Sequence, residues 1–315
     1  MLRLLLPMFQ HPFLIILIAT RNNMNKLWIG CGQITWRNVE EAQVLAEIAQ
    51  AGYAGAPAAP RDGRSPQETL DLYAAYGLKP APGYLSGRFW DAADADDLRQ
   101  RAQHYAAFAQ AVGCSELYVA AGGFDHYTTA RGFTRNQVAG HVHPDDAMSE
   151  AEYRQFADTL NRVAEITLAH GVRSCFHNHV GSVIETRAEI DRLWALIDPT
   201  LVFMGPDTGH LAWGGVDVVP FCRDYAAAIK TMHIKDIDPQ VLAEGREKHW
   251  DYRTFSAHGI FTELGQGFVD FPGVFKVLDA AQFGGWLIVE TDVTQQPTPL
   301  QSAQISRAYL ASLGF

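Results

Sequence analysis

Three apolar segments in the middle of the chain decide the fold: VRSCFHNH (residues 172–179), LVFMGPD (201–207) and IKTMHIKD (229–236). Each is short and carries apolar residues at successive positions, which is typical of a strand buried on both faces of a parallel sheet. Amphipathic stretches at 187–196 and 218–228 separate the three segments and predict helices. This order of elements predicts consecutive βα units.

The same alternation continues in both directions. Upstream strands are predicted at LWIGCG (27–32), GYAGAPAA (52–59), LKPAPGYL (78–85) and ELYVAAGG (116–123), and a downstream strand at GWLIVETD (285–292). Further helices are predicted at 39–51, 66–76, 93–112, 149–170, 272–281 and 299–313. Ser149 and Glu152 predict a capping box at the start of the helix at 149–170. About eight βα units in about 290 residues favour an α/β fold of the (β/α)₈ TIM-barrel type over an open doubly wound sheet.

Two long irregular segments interrupt the alternation, at residues 122–148 and 237–268. Both follow the carboxyl end of a predicted strand, where the loops of a TIM barrel build active sites. The first strand is not followed by a glycine-rich phosphate loop, which disfavours a nucleotide-binding fold. We therefore expect residues 24–315 to form a single TIM-barrel catalytic domain.

The composition disfavours several classes of binding partner and structural site. Lys and Arg number 25 against 35 Asp and Glu, so the formal net charge is −10, which disfavours nucleic acid as a partner. The four cysteines lie far apart in the sequence, which disfavours a zinc ribbon or disulfide scaffold and indicates a reducing, cytoplasmic location. A small molecule is the expected ligand, and the sequence leaves a homo-oligomer open.

The first 23 residues are unlike the rest of the chain. They contain an apolar run at 13–19 that is too short to span a bilayer as a helix, so no membrane insertion is predicted. We expect residues 1–23 to be a non-native or disordered extension ahead of Met24, with a signal peptide as the alternative.

Polar side chains cluster where four consecutive predicted strands end. Strand alternation places His233 and Lys235 on one face of their strand and Glu290 on the same face as Trp286 and Ile288. Two imidazoles and two carboxylates at matching depths are suitable ligands for a divalent transition metal such as Mn²⁺, Co²⁺ or Zn²⁺. The predicted metal ligands are His177, Asp207, His233 and Glu290.

Other residues near these strand ends have two interpretations each. His179 contacts either substrate or a metal ligand, and His210 either contacts substrate or only braces the turn that Asp207 begins. Trp36, just after the first strand, is either a sugar-binding platform or core packing. Lys235 shares the face of His233, which favours a site residue over a surface lysine.

The motifs FHNHVG (176–181), DTGHLAWGG (207–215), HIKD (233–236) and GWLIVE (285–290) resemble the xylose isomerase-like TIM barrels, which include sugar isomerases, epimerases and dehydratases. Two stretches, AEIAQAGYAG (46–55) and residues 233–271, most resemble the inosose dehydratase branch. The resemblance implies that the metal is held at His177, Asp207, His233 and Glu290. Histidine at 177 replaces the glutamate usual in the isomerases and favours a lyase over an epimerase.

The resemblance implies a metal-dependent dehydratase of a cyclic keto-polyol such as 2-keto-myo-inositol (scyllo-inosose). The reaction would abstract an α-proton and lose water through a metal-stabilised enediolate, with Mn²⁺ or Co²⁺ as the expected cofactor and Zn²⁺ as a further option. Glu290 is expected to be both a metal ligand and the base, with Lys235 or His179 as the proton donor. The expected substrate contacts are Trp36, His210 and Lys235.

The alternative function is a ketose isomerase or 3-epimerase. A phosphodiesterase of the endonuclease type is disfavoured by the acidic net charge. An acidic residue expected near Pro57 is absent, which leaves the exact substrate open.

Overall fold

A computed structural model describes residues 27–315. The predicted extension at 1–23 and the predicted domain start at residue 24 lie outside the described residues. None of the helices in residues 27–315 combines the length and apolar character needed to cross a bilayer.

The strands confirm the predicted α/β barrel. They form two parallel sheets, in the orders β3-β2-β1-β11-β8 and β4-β5-β6-β7, and a separate antiparallel pair β9-β10. Their bounds are β1 Leu27–Cys31, β2 Gly55–Pro57, β3 Lys79–Ala81, β4 Tyr84–Gly87, β5 Glu116–Ala121, β6 Arg173–His177, β7 Val202–Met204, β8 Thr231–Ile234, β9 Asp236–Ile237, β10 Phe261–Thr262 and β11 Gly285–Val289.

The two parallel sheets join at both edges. Parallel bridges between Met204 and Ile229 and between Asp207 and His233 connect β7 to β8. At the other edge, β3 and β4 are the two halves of the single predicted strand at 78–85, separated by Pro82 and Gly83. Proline has no N–H to donate to a sheet, so the strand changes partner here, from β2 on one side to β5 on the other.

Eight helices in residues 27–315 occupy the predicted places, and three further helices were not predicted. The bounds are α1 Glu41–Gln50, α2 Pro66–Ala75, α3 Ala95–Ala111, α4 Glu150–Ala169, α5 Arg187–Trp194, α6 Thr208–Trp213, α7 Val218–Tyr225, α8 Pro239–Glu247, α9 Tyr252–Ala257, α10 Phe271–Ala280 and α11 Pro299–Ser312. The three that were not predicted are α6, α8 and α9. The predicted capping box at Ser149 and Glu152 is present at the start of α4. The segment 237–268 was expected to be irregular, and this is wrong: it contains α8, α9 and the β9-β10 pair, with a proline at the first turn of α8.

Successive side chains of a strand point alternately into two apolar cores, as the sequence pattern requires. Leu287 and Val289 belong to the large apolar cluster between strands and helices, whereas Trp286 and Ile288 belong to a small cluster inside the barrel with Tyr118. The hydroxyl groups of Tyr118 and Thr231 lie 2.7 Å apart across the barrel. This inner cluster therefore forms a packed layer inside the barrel, and Glu290 follows Ile288 on the same inward face.

Candidate active site

A cavity of about 620 Å³ lies at the carboxyl ends of the barrel strands. Part of its lining follows β4 and β5 and includes Arg88, Phe124 and His126. The lining also contains most of the residues that the sequence predicted. The other charged and aromatic side chains of the lining are Tyr84, Tyr118, His177, His179, His233, Lys235, Glu290 and Asp292.

Three of the four predicted metal ligands form one compact group. His177 ends β6, Asp207 is the N-cap of α6 and His233 lies in β8. One ligand atom of each lies within 4.8 Å of the others. All three side chains are buried. Glu290 follows β11, and its Oε2 lies 3.1 Å from Nδ1 of His233. The barrel therefore brings the predicted imidazoles and carboxylates to one place.

Asp207 uses its two carboxylate oxygens differently. Oδ1 accepts the backbone N–H of His210 at 2.9 Å and so caps α6, at the turn that Asp207 was expected to begin. Oδ2 is turned toward His233 and Lys235. The side chain of Asn178, which sequence analysis did not single out, holds the Asp207 peptide by accepting its N–H at 3.0 Å and donating to its carbonyl at 3.4 Å. One aspartate can therefore serve both the helix and the site.

The donor atoms fit a divalent cation. Within residues 27–315, Nε2 of His233 is buried and finds no hydrogen-bond partner, which is unusual for a buried polar atom. Oδ2 of Asp207 has only charged neighbours, at 3.0 Å from Nζ of Lys235 and 3.8 Å from Nδ1 of His233. Nδ1 of His177 lies 3.3 Å from the carbonyl oxygen of Gly205, so Nδ1 carries the proton and Nε2 is left with a lone pair. Mixed imidazole and carboxylate donors are the set that Mn²⁺, Co²⁺ and Zn²⁺ accept.

Lys235 is the buried cation of the site. Its Nζ lies 3.0 Å from Oδ2 of Asp207, 3.4 Å from Oε2 of Glu290 and 2.7 Å from Oδ1 of Asp292. Sequence analysis missed Asp292, although it follows Glu290 by two residues and strand alternation would have placed it on the same face. Three carboxylates around one ammonium group leave an excess of negative charge that a divalent ion would neutralise.

Electrostatics set the protonation states of two of these residues, His177 and Glu290. Burial lowers the pKa of His177, and the nearby His233, His179 and Lys235 lower it further, so its imidazole is neutral. Burial by itself would raise the pKa of Glu290, but His233 and Lys235 outweigh it and hold the pKa of that carboxyl well below its usual range. A neutral imidazole at His177 and an ionised carboxylate at Glu290 are the forms of these ligands that bind metal.

His179 and His210 lie side by side, with ring centroids 3.7 Å apart. His179 lines the cavity, and burial together with the Lys235 ammonium lowers its pKa to about 4. His210 is fully buried, does not line the cavity, and lies behind Lys235 with Nε2 3.2 Å from Nζ. The structure therefore gives His210 a contact with Lys235 in place of the predicted contact with substrate.

Trp36 is not part of the site. Its side chain is 5% exposed, its indole Nε1 donates to Oε2 of Glu47 at 2.6 Å, and it does not line the cavity. The predicted sugar-binding platform is therefore corrected to core packing. The reason is that the chain turns away after β1, so that the next residue to face the cavity is Ile34.

Comparison with known proteins identifies related chains. Residues 45–313 match the family described as xylose isomerase-like TIM barrel. An inosose dehydratase of Geobacillus kaustophilus (strain HTA426) is 30% identical over 303 residues, which covers 92% of this chain and 96% of that protein. The rhizopine catabolism protein MocC of Rhizobium meliloti is 31% identical over 306 residues, covering 93% and 90% of the two chains.

Solved structures share the fold. The crystal structure of the probable 3-DHS dehydratase AsbF from Bacillus anthracis superposes with a TM-score of 0.67 at 12% identity, covering 91% of this chain and 99% of that one. At this identity the similarity shows the fold alone.

Proposed function

Because this chain belongs to the xylose isomerase-like TIM barrel family, we propose that it is a metal-dependent hydro-lyase acting on a cyclic keto-polyol of the 2-keto-myo-inositol (scyllo-inosose) type. The observation that carries this proposal is the buried group of His177, Asp207 and His233 beside Glu290 and Lys235 at the cavity wall. Support comes also from the relative named inosose dehydratase, which is 30% identical and spans 92% of this chain.

The residues that would hold the ion are His177, Asp207, His233 and Glu290. A divalent cation bound there would supply Lewis-acid polarisation of a substrate carbonyl. Mn²⁺ or Co²⁺ is the proposed ion, with Zn²⁺ as a further candidate, because two imidazoles and two carboxylates form a mixed nitrogen and oxygen donor set.

Glu290 is the proposed base. Its carboxylate is ionised, since His233 and Lys235 outweigh the effect of burial and hold its pKa low, and it lines the cavity. It would take the proton from the carbon next to the ketone, as the first step of eliminating water.

Lys235 is favoured over His179 as the proton donor to the departing hydroxyl. Burial opposes the charged ammonium, but Asp207, Asp292 and Glu290 outweigh it and raise the pKa of Lys235, so it carries a proton. His179 has a pKa of about 4, lowered by burial and Lys235, and its Nδ1 donates to the carbonyl of Val180, so the nitrogen left for the cavity has no proton. The 3.4 Å contact between Glu290 and Lys235 would return the abstracted proton to the ammonium after turnover.

The test is turnover of scyllo-inosose by protein loaded with Mn²⁺ or Co²⁺, followed by mass spectrometry for loss of one water and by absorbance of the unsaturated product. Glu290→Gln keeps the size of the side chain and should lower turnover at least about a hundredfold, the usual contribution of a general base. The matched control is Glu247→Gln, at the end of α8 and outside the cavity.

Two results would contradict the proposal. Absence of the dehydrated product, together with interconversion of free ketoses in the same preparation, would establish the isomerase or 3-epimerase alternative on the same residues. Full activity of the Glu290→Gln variant would remove Glu290 from the reaction.

A further inference from the structure

A second group of metal-binding residue types lies beside the first. It consists of His179, His210 and Asp292, and one ligand atom of each lies within 4.8 Å of the others. His210 and Asp292 are buried, and His179 is partly buried. The three residues come from the loop after β6, from α6 and from the loop after β11. Two imidazoles and a carboxylate are again a donor set for a divalent transition metal.

The ammonium of Lys235 contacts two members of this second group, Asp292 and His210. Nζ is 2.7 Å from Oδ1 of Asp292 and 3.2 Å from Nε2 of His210. The same nitrogen is 3.0 Å from Oδ2 of Asp207, so Lys235 contacts both groups at once. A second metal ion bound to His210 and Asp292 would have to occupy the space that this ammonium fills.

The lysine chain is held firmly in this position. A methyl group added at Gly209 would lie 2.7 Å from Cγ of Lys235, so the lysine stem packs directly against the backbone of α6. On another side, Nζ lies 5.4 Å from the centre of the Phe261 ring. Lys235 is 1% exposed, and its ammonium cannot move into solvent without leaving these contacts.

The charges also favour a single metal ion. Asp207, Glu290 and Asp292 contribute three negative charges around Nζ of Lys235, and the lysine contributes one positive charge. One divalent ion brings the sum to −3 + 1 + 2 = 0. A second divalent ion would leave a net charge of +2 in a buried site, where unbalanced charge is costly.

We propose that the Lys235 ammonium occupies the position that a second metal ion would take in the His179–His210–Asp292 group. Lys235 therefore limits the site to one divalent ion. Removing the lysine side chain should convert that group into a second metal site. This inference depends on the first group binding an ion, and it does not depend on which reaction the protein catalyses.

The experiment counts metal ions on the full-length chain. Metal-free protein is dialysed against excess Mn²⁺, bound metal is measured by mass spectrometry, and spin coupling between neighbouring Mn²⁺ ions is read by electron paramagnetic resonance. We expect one ion per chain without coupling in the native protein, and two coupled ions in Lys235→Ala. The double variant Lys235→Ala with Asp292→Asn should return to one ion. Lys248→Ala, an exposed lysine on the surface, is the matched control and should bind one.

Two ions in the native protein, or one ion in a folded Lys235→Ala variant, would overturn the proposal. If Lys235→Ala does not fold, as judged by circular dichroism, titration of the native protein decides: saturation at one uncoupled ion supports the proposal, and a second coupled ion refutes it. A native chain that binds no ion refutes it as well. Failure to dehydrate scyllo-inosose with one ion bound would instead count against the proposed function alone.

Discussion

The last residue of LWIGCG leaves room for the carboxylate of Glu290. Gly32 follows β1, and its N–H donates to the carbonyl of Val289 at 2.8 Å, so the two strand ends lie side by side. A methyl group added at Gly32 would lie 2.5 Å from Oε1 and 2.6 Å from Cγ of Glu290, closer than unbonded atoms approach. A single missing side chain thus decides where the proposed base points.

We predict that Gly32→Ala lowers Mn²⁺ affinity about tenfold or more and lowers turnover, because displaced supporting contacts commonly cost that much at metal sites. The backbone at Gly32 does not have a positive φ, so alanine is free of backbone strain there and the fold should persist. The measurements are metal titration and thermal unfolding. Gly122→Ala is the control for affinity, since its nearest contact is 3.3 Å to the carbonyl of Gly87 and no ligand is touched. Unchanged affinity in Gly32→Ala would show that Glu290 does not hold the ion.

At the scale of elements, one carboxylate fastens the segment that carries α8 and α9 to the barrel. Asp236 in β9 accepts the backbone N–H groups of Gly265, Gly267 and Val269 at 2.9, 3.0 and 3.1 Å. A side chain at Gly267 would collide with this carboxylate, which explains the glycine in GQGFVDF. The same segment places Phe261 against Lys235 and His210. The segment that carries α8 and α9 therefore helps to hold Lys235 and His210 in position.

Asp236→Ala is expected to loosen this segment. Those three backbone N–H groups and that of Ile237, which donates to Oδ1 at 3.0 Å, would lose their acceptor. We expect the free energy of unfolding to fall by at least about 2 kcal/mol, given the cost of unpaired buried donors. Hydrogen exchange at 265–269 should accelerate, and turnover should fall because Phe261 is no longer held. Asp238→Ala, which removes only the cap of α8, serves as control and should cost about 1 kcal/mol without faster exchange at 265–269. Unchanged exchange in Asp236→Ala would contradict the role given to this carboxylate.

Closure of the barrel assembles the site at the scale of the whole molecule. His177, His233 and Glu290 come from β6, β8 and the end of β11, and Asp207 bridges to His233 where β7 meets β8. These parts of the chain are distant in sequence and come together only when the two sheets join at that edge. An ion bound by all four residues would favour the closed barrel over the unfolded chain.

Removing the ion should therefore lower the thermal stability of the whole molecule. A ligand that binds only the folded state stabilises it by about 2.7 kcal/mol at a free concentration one hundred times its Kd, so we expect chelation to lower Tm by several degrees. The control is Asp207→Asn, whose amide oxygen can still cap α6 but lacks the charge. Its Tm should not depend on added Mn²⁺. A native Tm that is the same with metal and with chelator would argue against ion binding at these residues.

Much of this arrangement was predictable because it is local. Alternation of side chains along a strand places Glu290 on the inward face with Trp286 and Ile288, and the structure agrees. Helix capping at Ser149 depends on residues three apart and was predicted for the same reason. Regular spacing of strands and helices was sufficient for the barrel, since a parallel strand needs a helical crossover before the next.

The sequence by itself determined the barrel, the inward face of each strand and the residue types at the strand ends, since these follow from interactions between near neighbours in the chain. Only the tertiary structure decided that Trp36 packs against Glu47, that His210 lies behind Lys235, and that Asp292 completes a second group around the ammonium. The physical reason is that alternation fixes the direction of a side chain but not the distance to a side chain on another strand. That distance depends on the register between strands, on closure of the barrel and on the packing of long inserts.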